Sequence, residues 1–538
     1  MTTRIGIDFG TANTVVAGWD HALDRGEPIP LEGLDLLRDG SGGVRQRVIP
    51  SLIAFAADGR RRWTGAAVAR DAALLDDPAV AVFQSTKSSV TGQSIDIPRS
   101  VGARRISNRE AATQFLGDVM AAATLAVGTD DLEIVATAPV EAFDTYRDWL
   151  VREVGETAGL SRLRVVDEAT AAAVGYSARL RPGDAFMVFD FGAGTLDISV
   201  VRVQEPSATG GGAGVRAIAK AGADLGGNHI DALVARHAAD ATGVPLGDTA
   251  AYNRVFRRLL RSAEAAKTTL TRATTAVVEA TDPGTGESYR LDLSRGDFEA
   301  LLRERDVLGR VGRALRKTLD SAAAAGYPAE EISQVFLVGG SSLIPAVQEL
   351  LRWQFAPEVL RLDRPLEAVA AGAAGIAGGY ELHDHIQHDY AIRHVNRDTG
   401  VYEFEPLVRA GSEYPTPDPI RTLTIKAIRD GQRNLGLAVY ELAHATYRDA
   451  GADLEIVFDA DGGASTVAVT AQHRQEQSQL WLNEDNPTFL EADPPARAGA
   501  DRFRVDFRID AHKRLTVSAF DLERRVWVLD RQPIVRLA

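Results

Sequence analysis

The stretch IGIDFGTANTVVA, residues 5–17, returns in altered form as FMVFDFGAGTLDISVV, residues 186–201. Each copy runs as apolar chain into Asp-Phe-Gly (Asp8, Phe9, Gly10; Asp190, Phe191, Gly192), turns through small residues and resumes as an apolar run. Such runs flanking a short Gly-containing segment predict a hairpin, and two copies predict a duplicated unit. The turns are Gly10, Thr11, Ala12 and Asn13 in the first copy, and Gly192, Ala193, Gly194 and Thr195 in the second. Glycine lets backbone N–H groups close on an anion, and the hydroxyls of Thr11, Thr14 and Thr195 lie beside them. An Asp ending each first strand sets a carboxylate next to that anion, where oxygen ligands suit hydrated Mg²⁺. A single turn of this kind is equally an ordinary hairpin, whereas two in one chain point to phosphate binding.

A third segment, VFLVGGSSLIPAVQELL from Val335, predicts a buried strand, a bare Gly339-Gly340 turn, the pair Ser341 and Ser342, and a helix opening near Pro345. Alone it is a weak signal. No G-x-x-x-x-G-K-[ST] occurs, and the segment Gly192 to Asp197 lacks the third Gly of the dinucleotide fingerprint, which disfavours P-loop and Rossmann chemistry. The 538 residues are 45% hydrophobic and 25% charged, an ordinary folded composition. That length predicts about three or four domains. With no Cys there are no disulfides, thiolate metal sites or cysteine nucleophiles. A net charge of −14 argues against nucleic acid and anionic membrane surfaces as partners. Neither a secretory leader nor a membrane-length apolar run is present, so the sequence reads as cytoplasmic.

From Ile5 to about Tyr380, short apolar runs alternate with Ala-rich stretches of helical period, the α/β pattern. One such stretch places Phe256, Leu259, Leu260, Ala263, Lys267 and Leu270 on one helix face. Beyond about Gln387 the period becomes two: Phe503, Val505, Phe507 and Ile509 alternate with polar neighbours, residues 511–514 form a turn, and Leu515, Val517 and Ala519 alternate again. The prolines at 415, 417, 419, 494 and 495 are expected to mark extended loops. The expected division is an α/β domain over 1–380, a linker over 381–389 and a β domain over 390–538. Four of the ten His, at 383, 385, 388 and 394, fall at this seam, and a polar linker is favoured over a metal site there.

Order and sequence together resemble the actin-like ATPase superfamily, and within it the DnaK-type seventy-kilodalton heat-shock chaperones. The resemblance runs through VIPSLIAF from Val48, IVATAPVEAFDTYRDWL from Ile134, VVDEATAAAVGY from Val165, AGADLGGNHID from Ala221, LLRSAEAAKTTLT from Leu259 and PLEAVAAGAAGIAGG from Pro365. It is looser in NLGLAVYEL from Asn434 and in the tail from Phe503. The resemblance implies a two-lobed α/β actin-like ATPase domain, with duplicated ribonuclease H-like sheets, followed by an antiparallel all-β substrate-binding domain. It also implies ATP or ADP with Mg²⁺, slow hydrolysis, polypeptide clients, and a J-domain co-chaperone and nucleotide exchange factor as partners.

Residue by residue, the resemblance implies that Asp8 and Asp190, with Thr195, surround Mg²⁺ and the β/γ-phosphates. Asp197 and Glu168 would order the attacking water, and Lys87 would reach the γ-phosphate. Phosphoryl transfer asks for this kind of positioning and charge neutralisation. On spacing alone Glu168 could simply open the following helix, and Lys87 could be solvated surface. Glu264, Lys267 and Thr271, at i, i+3 and i+7, match positions that hold adenosine in the family; they are also an ordinary surface pair and neighbour. Gly226, Gly227, Gly339, Gly340 and Ser341 match contacts to nucleotide, while Pro139 and Arg147 match a relay between nucleotide state and substrate domain.

Five departures from the family stand out. Leu343 replaces an Arg that stacks on adenine. Ala193 adds a methyl to the second phosphate turn, and Ala169 follows Glu168 where the family has Pro. The segment His383 to Ala391 lacks the family's leucine run, and with Ala538 just past the last strand-like runs a helical lid is expected to be missing, so any peptide is expected to exchange fast. The leading expectation is an ATP-dependent chaperone-like protein whose β domain binds extended polypeptide. Its alternatives are a nucleotide-binding adaptor or scaffold with a dedicated protein partner, and a sugar-kinase-type enzyme, against which the β tail and VVDEATAAAVGY argue.

Overall fold

Both Asp-Phe-Gly segments fold as hairpins. Thr3–Phe9 pairs antiparallel with Asn13–Asp20, and Ala185–Phe191 with Leu196–Val203. In the computed structural model the described residues run from 3 to 537, except 24, 40–44, 60, 78, 91–97, 130–131, 140–143, 160–162, 177–180, 204–214, 245–248, 380–385, 387–388, 396–401, 410–411, 413, 443–453, 459–463, 469–478, 484–487 and 511–513. Two units emerge: Met1–Val140, Thr145–Leu382 and Tyr447–Thr470 form the first, and Glu141–Asp144, His383–Thr446 and Ala471–Ala538 the second.

In the first unit each hairpin seeds a mixed sheet of the same order. Arg25–Pro28 lies antiparallel beside Asn13–Asp20, and on the other side Leu132–Ala138 and then Leu163–Asp167 run parallel to Thr3–Phe9. Val215–Ala223 lies antiparallel beside Leu196–Val203, and Ile332–Val338 and then Leu360–Arg361 run parallel to Ala185–Phe191. The sequence repeat is therefore a repeat of sheet topology. The first sheet is extended by the antiparallel pair Arg45–Pro50 and Leu36–Asp39, joined to Asn13–Asp20 through Pro50 and Ile49.

The Ala-rich stretches form the helices Glu168–Tyr176 and Ala368–Ala377. Small side chains let them cross backbone to backbone: a Cβ on Gly372 would lie 1.7 Å from the Ala171 carbonyl oxygen, and one on Gly175 2.2 Å from that of Ala368. Every residue of Ala368–Ala377 is buried. Val174, Val369, Ala373 and Ile376 share one core cluster with Val135, Phe186, Val188, Phe336 and Val338, residues drawn from both sheets. The amphipathic stretch lies in the helix Thr249–Leu270, where Phe256, Leu259, Leu260, Ala263 and Leu270 are buried in the larger core and Lys267 lies at its polar margin.

In the second unit the period-two stretches pair as Asp501–Ile509 and Arg514–Asp521, antiparallel from Phe503↔Asp521 to Ile509↔Leu515. Phe503, Val505, Phe507, Ile509, Leu515, Val517 and Ala519 all face the core. The Asp510 N–H donates to the Arg514 carbonyl at 3.0 Å at the hairpin end, and residues 511–513 of the expected turn lie outside the described residues. Arg421–Lys426 and Val526–Arg536 flank this pair. A further antiparallel sheet runs in the order Tyr402–Val408, Asp389–Val395, Val439–Leu442, Gln479–Trp481. Pro494 and Pro495 depart from expectation: they belong to the strand Thr488–Ala496. Its pairing with Gln432–Leu437 shifts register between the Asn434↔Glu491 and Gln432↔Ala496 pairs, and such an interruption accommodates residues that cannot donate to a ladder. Of the expected linker, Ile386 and Asp389 are described, with Ile386 buried in this unit's core. His383, His385 and His388 lie outside the described residues, and His394 sits in a strand. Among the described residues no helix is long and apolar enough to cross a membrane.

Candidate functional site

Asp8 and Asp190 occupy equivalent places in the two sheets, each near the end of a strand with a buried middle and themselves opening to a cavity. The first turn is fixed from outside by Ser51, whose hydroxyl donates to the Gly10 carbonyl at 2.7 Å and meets the Thr14 hydroxyl at 3.0 Å. A Cβ on Gly10 would lie 2.2 Å from the Asn13 carbonyl oxygen, so the turn closes only around glycine. The second turn is closed by the Gly192 N–H donating to the Thr195 carbonyl at 3.0 Å. The Gly192 carbonyl in turn accepts from the Gly227 N–H at 3.0 Å and from the Ser341 hydroxyl at 2.9 Å. These two bonds tie the segments that carry Gly192, Gly227 and Ser341 to one point. Gly339 has φ of +77°, and a Cβ there would lie 2.4 Å from the Phe191 carbonyl oxygen and 2.8 Å from Asp190 Oδ1.

The cavity so formed measures about 420 Å³, within the range of small-molecule sites. Lining it are Asp8, Gly10, Thr11, Ala12, Asn13, Lys87, Glu168, Asp190, Gly192, Ala193, Gly194, Thr195, Gly227, Glu264, Lys267, Thr271, Gly339, Gly340, Ser341 and Leu343, residues the sequence singled out. Two of the candidates stand just behind the lining. Asp197 accepts a hydrogen bond from the Thr195 hydroxyl at 2.8 Å, and Gly226 lies against Ala193, where a Cβ would come within 2.2 Å of its carbonyl oxygen. Ala193 carries its methyl without a positive φ, and its carbonyl accepts from the Asn228 N–H at 2.9 Å. Pro139 follows the strand Leu132–Ala138, and Arg147 lies on the short helix Asp144–Trp149. The Nε and Nη2 of Arg147 are buried with no hydrogen-bond acceptor among the described residues.

The lining also includes Leu37, Arg38, Thr268, Arg272, Val338, Ile344, Pro365 and Leu366, which sequence reasoning missed as site residues. Thr268 follows Glu264 by one helical turn and could have been found from that spacing. Nothing local marks Leu37 or Arg38, which reach the cavity through strand pairing.

Electrostatically the site is acidic at one end. Lys87, buried on the helix Thr86–Val90, forms an ion pair with Glu168 at 2.5 Å. Burial opposes its charge, but Glu168, aided by Asp8, overcomes this and holds the ammonium above its ordinary range. Ser85, just before that helix, has φ of 55°, and its hydroxyl accepts from Asn228 Nδ2 at 2.9 Å, which anchors the helix start. Burial, reinforced by Glu168, pushes the Asp8 carboxyl up to about 6 although the Thr137 hydroxyl donates to it at 3.0 Å. Burial likewise raises Asp197 to about 6, against the Thr195 hydrogen bond, and lifts Asp190 well above the carboxylate range, with Glu168 and Asp197 adding to it. Several acids crowded round one cation form a charge imbalance that a divalent cation corrects. Hard, recessed oxygens beside glycine turns that leave no room for a Cβ fit hydrated Mg²⁺ and a phosphate chain. Among the described residues no cluster of three or more His, Asp or Glu is placed to hold a metal by itself.

Farther along, Lys267 donates to Asp231 Oδ2 at 2.7 Å and to the Gly227 carbonyl at 3.1 Å. It buttresses the loop rather than standing free in the cavity. Burial raises the Asp231 carboxyl to about 7, with Lys267 opposing the rise. Thr271 donates its hydroxyl to the Thr268 carbonyl at 2.7 Å.

Comparison with known proteins is consistent across the chain. The family described as Hsp70 protein matches residues 85–396. A protein named Chaperone protein dnaK1 from Parasynechococcus marenigrum is 28% identical over 575 positions, covering 98% of this chain and 82% of that protein. Chaperone protein DnaK of Deinococcus deserti is 27% identical over 553 positions, covering 96% and 77% of the two chains. That of Deinococcus radiodurans is 26% identical over 536 positions, covering 91% and 80%.

Proposed function

Since the chain belongs to the Hsp70 family, we propose that it is an ATP-dependent chaperone-like protein, hydrolysing ATP slowly in the first unit and binding extended polypeptide with the second. The observation that carries this reading is the convergence of two Asp-bearing hairpins and a third glycine turn on one cavity of nucleotide size.

Asp8 and Asp190 would hold a hydrated magnesium ion. Its chemistry would be to neutralise charge on the β- and γ-phosphates. The backbone N–H groups of Gly10–Asn13 and Ala193–Thr195 cradle the phosphates from two sides, which supplies oriented dipoles. Lys87 adds a point charge at the γ-phosphate, and its bond to Glu168 fixes both side chains. Glu168 and Asp197 accept hydrogen bonds from the attacking water and orient it, while Thr195 steadies Asp197. Water then displaces ADP at the γ-phosphorus, giving phosphate, with no covalent step on the protein. The helix carrying Glu264, Lys267 and Thr271, with Leu343 and Ile344, receives the nucleoside end.

In the second unit Tyr402, Ile428, Phe489 and Trp527 are more than half exposed and so available to an apolar segment. The polypeptide client, a J-domain co-chaperone and an exchange factor belong to this reading as partners.

Single-turnover hydrolysis of ATP with Mg²⁺, with and without excess unfolded polypeptide, tests it. Turnover accelerated by polypeptide is expected. Turnover indifferent to polypeptide would favour a dedicated-partner module, and absence of nucleotide binding would overturn the reading.

A further inference from the structure

Arg38 lines the cavity, yet no hydrogen bond or ion pair satisfies it among the described residues, and its Nε is buried with no acceptor. A guanidinium is always charged, so a recessed one needs a partner that the described residues do not supply. Its place along the wall tells which part of a ligand it meets. The strand Arg45–Pro50 pairs at Pro50 with Asn13 of the first phosphate turn, whereas Arg38 is paired with Gln46 of the same strand. Four residues of strand set Arg38 about 13 Å from that turn. Gln46 is fully buried, and its Oε1 accepts from the Leu366 N–H at 2.8 Å. Leu366 also lines the cavity, and its Cδ2 lies 3.7 Å from where a Cβ of Gly340 would be. Arg38 therefore borders the wall built from the Gly340–Leu343 turn, where Leu343, Ile344 and Leu366 offer only apolar surface.

We infer that Arg38 is a specificity-determining residue of the nucleotide site, laying its guanidinium against the purine of the bound nucleotide while the apolar wall takes the rest of the base. This rests on the nucleotide-binding reading above. A planar cation stacks on an aromatic face and donates in the plane, which an ammonium does not reproduce.

The test is equilibrium binding of Mg-ATP to the full chain and its Arg38→Ala and Arg38→Lys variants, with circular dichroism to verify folding and inorganic tripolyphosphate as a competitor. Both variants are expected to lose roughly tenfold in ATP affinity, the size of a desolvated guanidinium–ring contact. Tripolyphosphate should compete equally well in all three proteins. An Arg38→Ala affinity within twofold of the parent would overturn the assignment. So would full recovery in Arg38→Lys, or a parallel loss for tripolyphosphate, either of which would make Arg38 a phosphate contact. A parent chain that binds no ATP would overturn the nucleotide reading itself, an outcome distinct from the others.

Discussion

Asp8 and Asp231 are both acids that burial pushes upward, but they answer to different partners. Asp8 faces the cavity beside Glu168, so neutralising it should spare the fold and remove the charge proposed to hold the cation. Asp8→Asn is expected to lower Mg-dependent ATP hydrolysis by roughly a hundredfold or more in single-turnover assays while circular dichroism stays unchanged. Asp231 is buried against Lys267 and binds its proton up to about 7, above its unfolded value. The folded state thus holds more protons between about pH 4 and 7, and its stability falls as pH rises through that window. Asp231→Asn removes the titration, and above about pH 7 it also loses the ion pair with Lys267. Relative to the parent, its melting temperature should improve from pH 5 to pH 8, by on the order of 2 kcal/mol in stability; a pH-independent difference would contradict the assignment. At this scale the sequence was legible wherever chemistry was local. The glycine turns, Asp8, Asp190 and Ser341 announce themselves through their immediate neighbours. Arg38 does not, because its position depends on the pairing of Leu36–Asp39 with Arg45–Pro50 and on Gln46 meeting Leu366.

The hairpins and the helix Thr249–Leu270 follow from period and turn chemistry, since each hides its own apolar face. The crossing of Glu168–Tyr176 with Ala368–Ala377 does not, because an Ala-rich run states that something packs closely without stating what. A methyl at Gly372 would lie inside the Ala171 carbonyl, so Gly372→Ala should force the helices apart and destabilise the first unit by about 3 kcal/mol, read as a lowered melting temperature. Ser51 acts on a smaller element. Its hydroxyl holds the first turn by the Gly10 carbonyl, and Ser51→Ala is expected to cost about 1 kcal/mol and raise the KM for ATP. An unchanged KM would mean that the turn is self-supporting. Pro494 and Pro495 show the limit of reading prolines as loops, since an irregular ladder tolerates them.

Each unit has its own core, one led by Phe189, Leu259 and Val335 and the other by Phe503, Val505 and Leu515. Arg502 is buried in the second with Asp521 at 2.7 Å, the two side chains 2% and 0% exposed. Removing one partner strands the other charge, so Arg502→Met should cost about 3–5 kcal/mol in that unit. Differential scanning calorimetry should show one transition lowered, with ATP affinity unaltered; a uniform shift of the whole profile would argue that the two cores melt together. The change from an α/β to a β pattern near residue 385 was legible in the sequence because the period of the apolar residues changes there. The grouping of Tyr447–Thr470 with the first unit was not, since its composition matches the strands around it.

The repeated sheet order carries a consequence for the direction of binding. Two turns of the same design face one cavity, and a cradle of matched halves could not tell the head of a ligand from its tail. The tie is broken by features present once only: the Lys87–Glu168 pair on one side, and Arg38, Leu343 and the helix bearing Glu264 on the other. Duplication supplies the grip, and divergence between the copies supplies polarity, so whatever enters this site can be seated one way round.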